Sequence, residues 1–336
     1  MQNDILQRAL PAVLLALAVT ACGGGSDAPA AGGVTKSIEA TLSPLPDIVG
    51  VINGQGTNAR FANIRDLAMA ADGTLLVADD KVLRHIAPDG AVVTLASADA
   101  VGSVAPSASS LLAYAQVDAA ARSVTVRRLD DNLQSTTVAT LPLSPNEAFE
   151  LHGTVDGKLY GIGNERIVTI AENGSVAPLA GTVTGAGSPV PVDGAAGTAR
   201  FRSLKAATSD RQGNLYVIDD TLIRKVTPAG VVTTLAGSPG AALPQDGTGS
   251  QARFLAPFGL AVDSQGDVLV LDTLSGLPNA TLRKVTQAGV TTIATLPGNT
   301  VRQIAGNGGQ RVVLVRATQV DVLNADGTTT PFAGKE

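Results

Sequence analysis

The feature that most constrains this chain is that it repeats itself, because self-similarity at a fixed period calls for one supersecondary unit stacked many times. Three segments open alike. Asn53 to Phe61 reads NGQGTNARF, Asp193 to Phe201 reads DGAAGTARF, and Asp246 to Phe254 reads DGTGSQARF. Each leads into a run such as RSLKAATSDRQGNLYVIDDTLIRKVTPAGVVTTLAG, which ends at Gly237. Two copies, Ala148 to Gly181 and Val301 to Gly334, keep the run but lack the Ala-Arg-Phe opening. A more decayed copy threads through residues 98–142, with Leu111 to Ala115, Ser123 to Leu129 and Thr136 to Leu141 as its best strands. Six units of roughly 40 to 50 residues then lie near 54–97, 98–142, 146–181, 192–237, 246–297 and 299–334.

Each unit holds four short strands with apolar alternation and β-branched enrichment, as in Val231 to Leu235. Asp72-Gly73, Asp156-Gly157, Gln212-Gly213 and Gln265-Gly266 fall between the first and second strands. Asp89-Gly90, Asn173-Gly174, Ala229-Gly230 and Asp326-Gly327 fall between the third and fourth. Tight hairpins need the positive φ that glycine supplies at such points. Pro178 and Pro331 share one column of the fourth strand. Proline cannot donate to a ladder and belongs on an edge, and the fourth strand of a propeller blade is its outer edge. No segment shows sustained helical periodicity. The pattern predicts an all-β chain folded as a six-bladed β-propeller of four-stranded blades. Ahead of the first opening, Lys36 to Leu42 and Ile48 to Ile52 are strand-like; this segment either closes the ring against the last blade or is more tether.

The repeats resemble the NHL family, whose pattern runs from Asp-Gly-x-Gly and Ala-x-Phe through Gly-Asn-Leu-Tyr-Val-x-Asp and a basic strand to Gly-Val-Val-Thr-Thr-Leu-Ala-Gly. Gly213 to Asp219, Ile223 to Val226 and Gly230 to Gly237 match it nearly throughout. The units beginning at 53, 193 and 246 match specifically, those near 147 and 299 in part, and residues 98–142 poorly. The resemblance implies an NHL-type six-bladed propeller, a scaffold used mainly for binding, although such propellers include enzymes.

The N-terminus carries a second signal. The apolar run Ala9 to Ala21 is too short to span a bilayer comfortably and fits a secretory signal. It ends in Val19-Thr20-Ala21-Cys22, which resembles a bacterial lipobox. Residues 1–21 then read as signal peptide, Cys22 as the lipidated N-terminus of the mature chain, 22–36 as a flexible Gly- and Ala-rich tether, and 37–336 as the propeller. Cys22 is the sole cysteine, so the exported body has no disulfide to rely on. Gly23, not Asp, follows it, which gives no signal for inner-membrane retention. The resemblance implies a cell-envelope, outer-membrane lipoprotein that meets the membrane through its anchor. A net charge of -5 carries no basic footprint, so no nucleic-acid partner is expected.

Candidate residues fall into three groups. Arg60, Arg200 and Arg253 recur with their blades and read as structural, making the same inter-blade contact each time through the planar guanidinium fork. Asp79, Asp219 and Asp272 end three second strands and read as acceptors for loop backbone donors. Aligned first strands put Asp66, Glu150, Lys205, Gly259 and Gln303 in one column, expected to line the central channel. His152 follows Glu150 by two residues and shares its sheet face, so the pair could supply a general base and its orienter. His85 lies on a third strand. Neither a Gly-x-Ser-x-Gly elbow, a His-Glu-x-x-His motif nor a P-loop occurs. No metal and no cofactor is expected, since Lys205 in the carboxylate column would oppose a cation, and a Ca²⁺ site needs several hard oxygens.

The long connections at 181–199, 237–252 and 273–280 are expected on one rim beside blades four and five, where function is commonly placed. The reading favoured by these residues is a membrane-anchored, non-catalytic scaffold that binds a protein, peptide or glycan across one face. The alternatives are a metal-dependent hydrolase or lactonase sited in the channel, and a purely structural envelope protein.

Overall fold

A computed structural model describes residues 50–108, 110–145, 147–183, 190–240, 243–273, 279–296, 300–309 and 311–335. The signal, the lipobox at Cys22 and the tether lie outside the described residues, as does the strand-like segment Lys36 to Leu42. The chain forms six antiparallel four-stranded sheets in sequence order, the first extended by a short fifth strand. They make a six-bladed β-propeller. The innermost strands of blades one to six are Ile64–Met69, Val101–Ala105, Glu150–Gly153, Leu204–Ser209, Pro257–Val262 and Gln303–Ala305. In blade four the sheet continues outward through Leu215–Asp219, Leu222–Val226 and Val232–Gly237. We letter these positions a to d from the channel outward. The decayed second unit forms a full blade, and its a strand, Val101–Ala105, lies ahead of the strands that the sequence marks.

Turn chemistry sets the hairpins as expected. Gly213 and Gly230 adopt φ +80° and +79° between strands a and b and strands c and d of blade four. The b–c turns use another device: Asp80 and Asp220 take φ +49° and +59°, a left-handed conformation that Asp tolerates better than most residues.

The core is six apolar clusters, each between consecutive blades. Phe61, Phe201 and Phe254 are buried in three of them. Each lies against the glycine that ends strand d of the preceding blade. A Cβ on Gly181 would stand 2.6 Å from the Phe201 ring, and one on Gly334 would stand 2.6 Å from Phe61. The terminal Gly of each repeat therefore makes room for the Phe of the next. Ring closure uses the same contact, Phe61 of blade one against Gly334 of blade six, with Ile64 N donating to Ala317 O at 2.6 Å. No strand is exchanged to close the ring among the described residues. The part of the leading segment that is described turns back on its own blade: Ile52 bridges Arg60, and Gly54–Gln55 pairs with Ala91–Val92 on the outer edge of blade one. Pairing of Ile52 with the last blade is thus replaced by pairing within the first.

The three full openings serve a buried arginine on strand c that organises its blade. Arg84, Arg224 and Arg283 are wholly buried. Arg224 Nη1 donates to Arg200 O at 2.6 Å and Asp219 Oδ2 at 2.8 Å, and its Nη2 donates to Val192 O at 2.7 Å and Asp193 Oδ1 at 2.8 Å. Its guanidinium also lies over the Phe201 ring, 5.0 Å from the centroid. Arg84 and Arg283 repeat the arrangement with Asp79 and Asn53, and with Asp272 and Asp246. Asp219 Oδ1 in turn accepts from the backbone nitrogens of Arg202 and Ser203 at 2.7 and 2.8 Å. Asp79 does so from Asn63, and Asp272 from Leu255 and Ala256. The arginines of the opening behave otherwise. Arg60 bonds the carbonyls of Thr57 and Ala59, Arg200 those of Gly197 and Ala199, and Arg253 those of Ser250 and Ala252. They brace their own loops, and the inter-blade contact expected of them belongs to the neighbouring Phe. A half-exposed arginine finds carbonyls close by in a tight loop, whereas the fully buried one must satisfy its charge across the blade.

Candidate functional site

The site to be weighed is the channel. Its walls are the six a strands. At one height the ring position is held by Asp66, Ser103, Glu150, Ala206, Gly259 and Gln303, which pair across to Ala78, Ala115, Ile162, Ile218, Leu271 and Val315. Lys205 is not in this ring. The register of blade four shifts between Leu204 and Ala206, so Lys205 is a bulged residue and Ala206 holds the column. Arg65, Gly102 and Phe258 are bulged in the same way. A bulge inserts one residue and turns the next to the other face. Counted from Phe61 and Phe201, Lys205 matches the bulged Arg65 and Ala206 matches Asp66, so the expected column was one residue out of step in blade four. Lys205 instead stands at the channel mouth, 3.6 Å from Asp220, as Arg65 stands 2.8 Å from Asp80. The electrostatic objection to a cation that rested on Lys205 is withdrawn with its position. Among the described residues, no group of three or more His, Cys, Asp or Glu converges as metal ligands would.

The ring side chains are occupied by one another's strands. Asp66 Oδ2 accepts Val104 N of the next blade at 2.8 Å, Ser103 Oγ accepts Leu151 N at 2.8 Å, and the Glu150 carboxyl accepts from the Ala207 backbone. Gln303 closes the circle: its Oε1 accepts Leu67 N at 3.0 Å, and its Nε2 donates to Asp66 Oδ1 at 2.8 Å and Leu67 O at 3.1 Å. The column thus stitches blades six, one, two, three and four together along their inner edges. These edges have no further strand to bond, so a side-chain acceptor meets an otherwise unpaired donor. Sequence reading missed Ser103, whose blade is too decayed to align. It also missed Asn307, which bonds Met69 O and Ala70 O across the closure.

Burial raises the pKa of Asp66. It drives Glu150 up to about 8, with the Asp66 charge adding to the effect. Burial also pulls His152 down to about 4. At neutral pH Glu150 is therefore protonated and His152 uncharged. His152 lies two residues deeper, and its Nε2 is buried with no hydrogen-bond partner. Glu150 and His152 share a strand face but pair to different residues of strand b, Ile162 and Tyr160. The outer part of the channel is a cavity of about 340 Å³, reached past Arg65, Lys205, Arg302, Phe149 and Phe258. Beyond the ring it narrows to about 50 Å³ beside His152, Thr208 and Asn307, room for water-sized molecules only.

No protein-family model matches the chain, and no curated protein matches it. Solved structures do share the fold. A protein of unknown function from Bacteroides thetaiotaomicron superposes with a TM-score of 0.58 at 18% identity, over 83% of this chain and 71% of that one. Virginiamycin B lyase from Staphylococcus aureus superposes with a TM-score of 0.52 at 16% identity, over 85% and 88%. An auxiliary nutrient binding protein from Bacteroides ovatus gives 0.50 at 18% identity, over 72% of this chain and 61% of that one, so this chain spans about three fifths of its length. At such identities the likeness defines the class by architecture, a six-bladed β-propeller, and carries no activity with it.

Proposed function

We propose that this chain is a binding protein of the bacterial cell envelope, anchored through a lipid on Cys22 and built on an NHL-type propeller that takes its ligand across the channel-mouth face. The observation that carries the reading is the state of the ring. Asp66, Ser103, Glu150 and Gln303 bond the neighbouring blades, which leaves an open cavity above a narrowed floor whose polar side chains are structurally committed. A rigid concave surface with few free reactive groups suits recognition better than turnover. The nutrient-binding neighbour from Bacteroides ovatus is consistent with such use of the fold. Binding is tested by titrating the purified full chain with peptide and glycan panels; ligands that compete at the mouth and are lost on Phe258→Ala support it. The anchor is tested separately. Cys22→Ser is expected to leave the membrane fraction, and labelled palmitate is expected to enter only the parent; membrane retention by the variant would sink the anchor.

One observation favours an enzyme. His152 is neutral, its Nε2 is buried without a partner beside a space that admits water, and it shares a strand face with Glu150, so it could serve as a weak base acting through a water. Turnover of an ester or lactone that is lost in His152→Ala, with the fold intact, would replace the binding reading.

A further inference from the structure

The ring of acceptors is broken on one side. Blades four and five carry Ala206 and Gly259 where the other blades carry Asp66, Ser103, Glu150 and Gln303. No side chain at those two positions can reach the backbone nitrogen that its counterparts satisfy in the next blade. The donors left over are Leu260 N and Ile304 N. They stand in the ladder column of Leu67 and Val104: Leu260 pairs with Val270 and Ile304 with Leu314, as Leu67 pairs with Val77 and Val104 with Tyr114. Donors along an antiparallel strand alternate in direction. Val262 N, two residues after Leu260, leaves its own blade to bond Gly306 O at 3.0 Å, so Leu260 N also points away from its sheet partner. The Ile304 nitrogen stands 3.5 Å from where a Cβ on Gly259 would lie. Leu260 and Ile304 both line the 340 Å³ cavity.

The rim above this arc is positive. Arg302 is exposed, and among the described residues its guanidinium meets only neutral acceptors, Asn63 Oδ1 at 2.6 Å and Ile64 O at 3.4 Å. Lys205 shares the single carboxylate of Asp220 with Arg202, at 3.6 and 3.7 Å. Of the acidic members of the ring, Asp66 of blade one adjoins the end of the arc but has both oxygens occupied, by Gln303 Nε2 and Val104 N, and Glu150 is protonated at neutral pH. The Phe258 ring supplies an apolar wall beside the gap.

Building on the reading that the channel mouth takes a ligand, we propose that the arc of blades four to six is a carboxylate-binding subsite. Leu260 N and Ile304 N receive the carboxylate oxygens, Arg302 and Lys205 balance the charge, and the adjoining apolar part of the ligand rests on Phe258. Backbone donors held at one height by rigid strands are pre-organised for such an anion, and hydrogen bonds to an ionised acceptor are the stronger kind.

The gap suggests its own test. Ala206→Ser with Gly259→Ser gives blades four and five the acceptor that Ser103 supplies in blade two, filling the subsite from within. The purified full chain is titrated with phenylacetate and with the neutral phenylacetamide, followed by ligand-observed saturation-transfer NMR. The expected result is that phenylacetate binds at least tenfold more tightly than the amide. It is further expected to lose at least tenfold in the double variant and in Arg302→Gln. In the double variant Leu271 and Ile304 must yield by a few tenths of an ångström to the new Cβ at position 259, and a single cooperative melt verifies the fold. Arg302→Gln gives up the bonds to Asn63 and Ile64 O and is checked by the same melt. Unchanged phenylacetate binding in both variants would overturn the subsite, and so would no binding by the parent. Equal binding of acid and amide, both lost in the double variant, would overturn the carboxylate preference while leaving the channel-mouth binding reading in place.

Discussion

A buried guanidinium is costly unless it is paired, and Arg224 shows how three of the blades meet that cost, with both terminal nitrogens bonded and only Nε left without a partner. Two carbonyls, two carboxylates and an aromatic face surround it. Arg224→Met is expected to strand Asp219 without its partner and destabilise the chain by about 3–5 kcal/mol, read as a fall in urea midpoint. Arg200→Ala, which removes only loop carbonyl bonds, should cost about 1 kcal/mol. Equal losses would contradict the division of labour between the two arginines. Blade six reverses the pair, with Arg316 where blades one, four and five have Asp and with Asp321 on strand c, 2.9 Å apart. Blade three has Gly163 and Val168 there, and Glu147 fills the space that a side chain on Gly163 would need while bonding Arg166 at 2.9 Å. In the channel, two perturbed groups set opposing pH slopes. Glu150, raised from 4.5 to about 8, keeps a proton in the folded state that the unfolded chain has lost, so its contribution weakens as pH rises across that interval. His152, lowered from 6.5 to about 4, weakens the fold as pH falls across its own interval. The two oppose each other between about 4.5 and 6.5 and leave a net loss from 6.5 to 8. Glu150→Gln is expected to flatten the upper limb, melting above the parent at pH 8.5 in thermal scans. A parent and variant with parallel profiles would count against the buried-proton account.

At the scale of the strand, the outer edge shows why proline replaces threonine in one column of blades three and six. Thr234 N and Oγ1 both bond the Asp193 carboxylate at 2.9 Å, and Thr292 does the same with Asp246 at 2.8 and 2.9 Å. Blades three and six have no such opening carboxylate, and there the column holds Pro178 and Pro331, opposite Val168 and Asp321. A strand position with no acceptor for its N–H can lose the donor without penalty. Thr234→Pro is therefore expected to cost about 1–3 kcal/mol, while Pro331→Thr should be close to neutral. Differential scanning calorimetry of the two variants separates these outcomes, and equal effects would refute the pairing argument. The a strands carry the other local device, the bulge at Arg65, Gly102, Lys205 and Phe258. It sends one side chain to the mouth and the next into the ring, so that cations face solvent while Asp66 and Ser103 hold the blades together.

The whole molecule is a ring closed by the same contact that builds it. Phe61 on Gly334 repeats Phe201 on Gly181 and Phe254 on Gly237, and one apolar cluster joins blade six to blade one. Phe61→Ala and Phe201→Ala are each expected to cost about 3–5 kcal/mol within a single unfolding transition. A markedly smaller loss for Phe61→Ala, or a separate early transition, would mean that the closure is a weak joint. Repeats, turn glycines and edge prolines were enough to give the blade number and the strand order, because each of these signals is local: a hairpin needs its glycine, an edge tolerates its proline, and alternation marks a face. The sequence also singled out Asp66, Glu150 and Gln303 as one ring, and His152 beside Glu150. The expectation for Lys205 was one residue out of step: Phe61 to Arg65 and Phe201 to Lys205 span the same interval, so the repeat itself matches Lys205 to Arg65 and Ala206 to Asp66. What the repeat does not show is the bulge that sends both cations to the mouth. Nor could it show that Arg84, Arg224 and Arg283 are the buried arginines and Arg60, Arg200 and Arg253 the loop braces, because burial of a charge depends on partners some thirty residues away. The partnership of ring side chains with the next blade's backbone, and the two donors left over at Leu260 and Ile304, exist only once six strands stand around one axis. Those are long-range hydrogen bonds, and tertiary structure alone decides which of them are made.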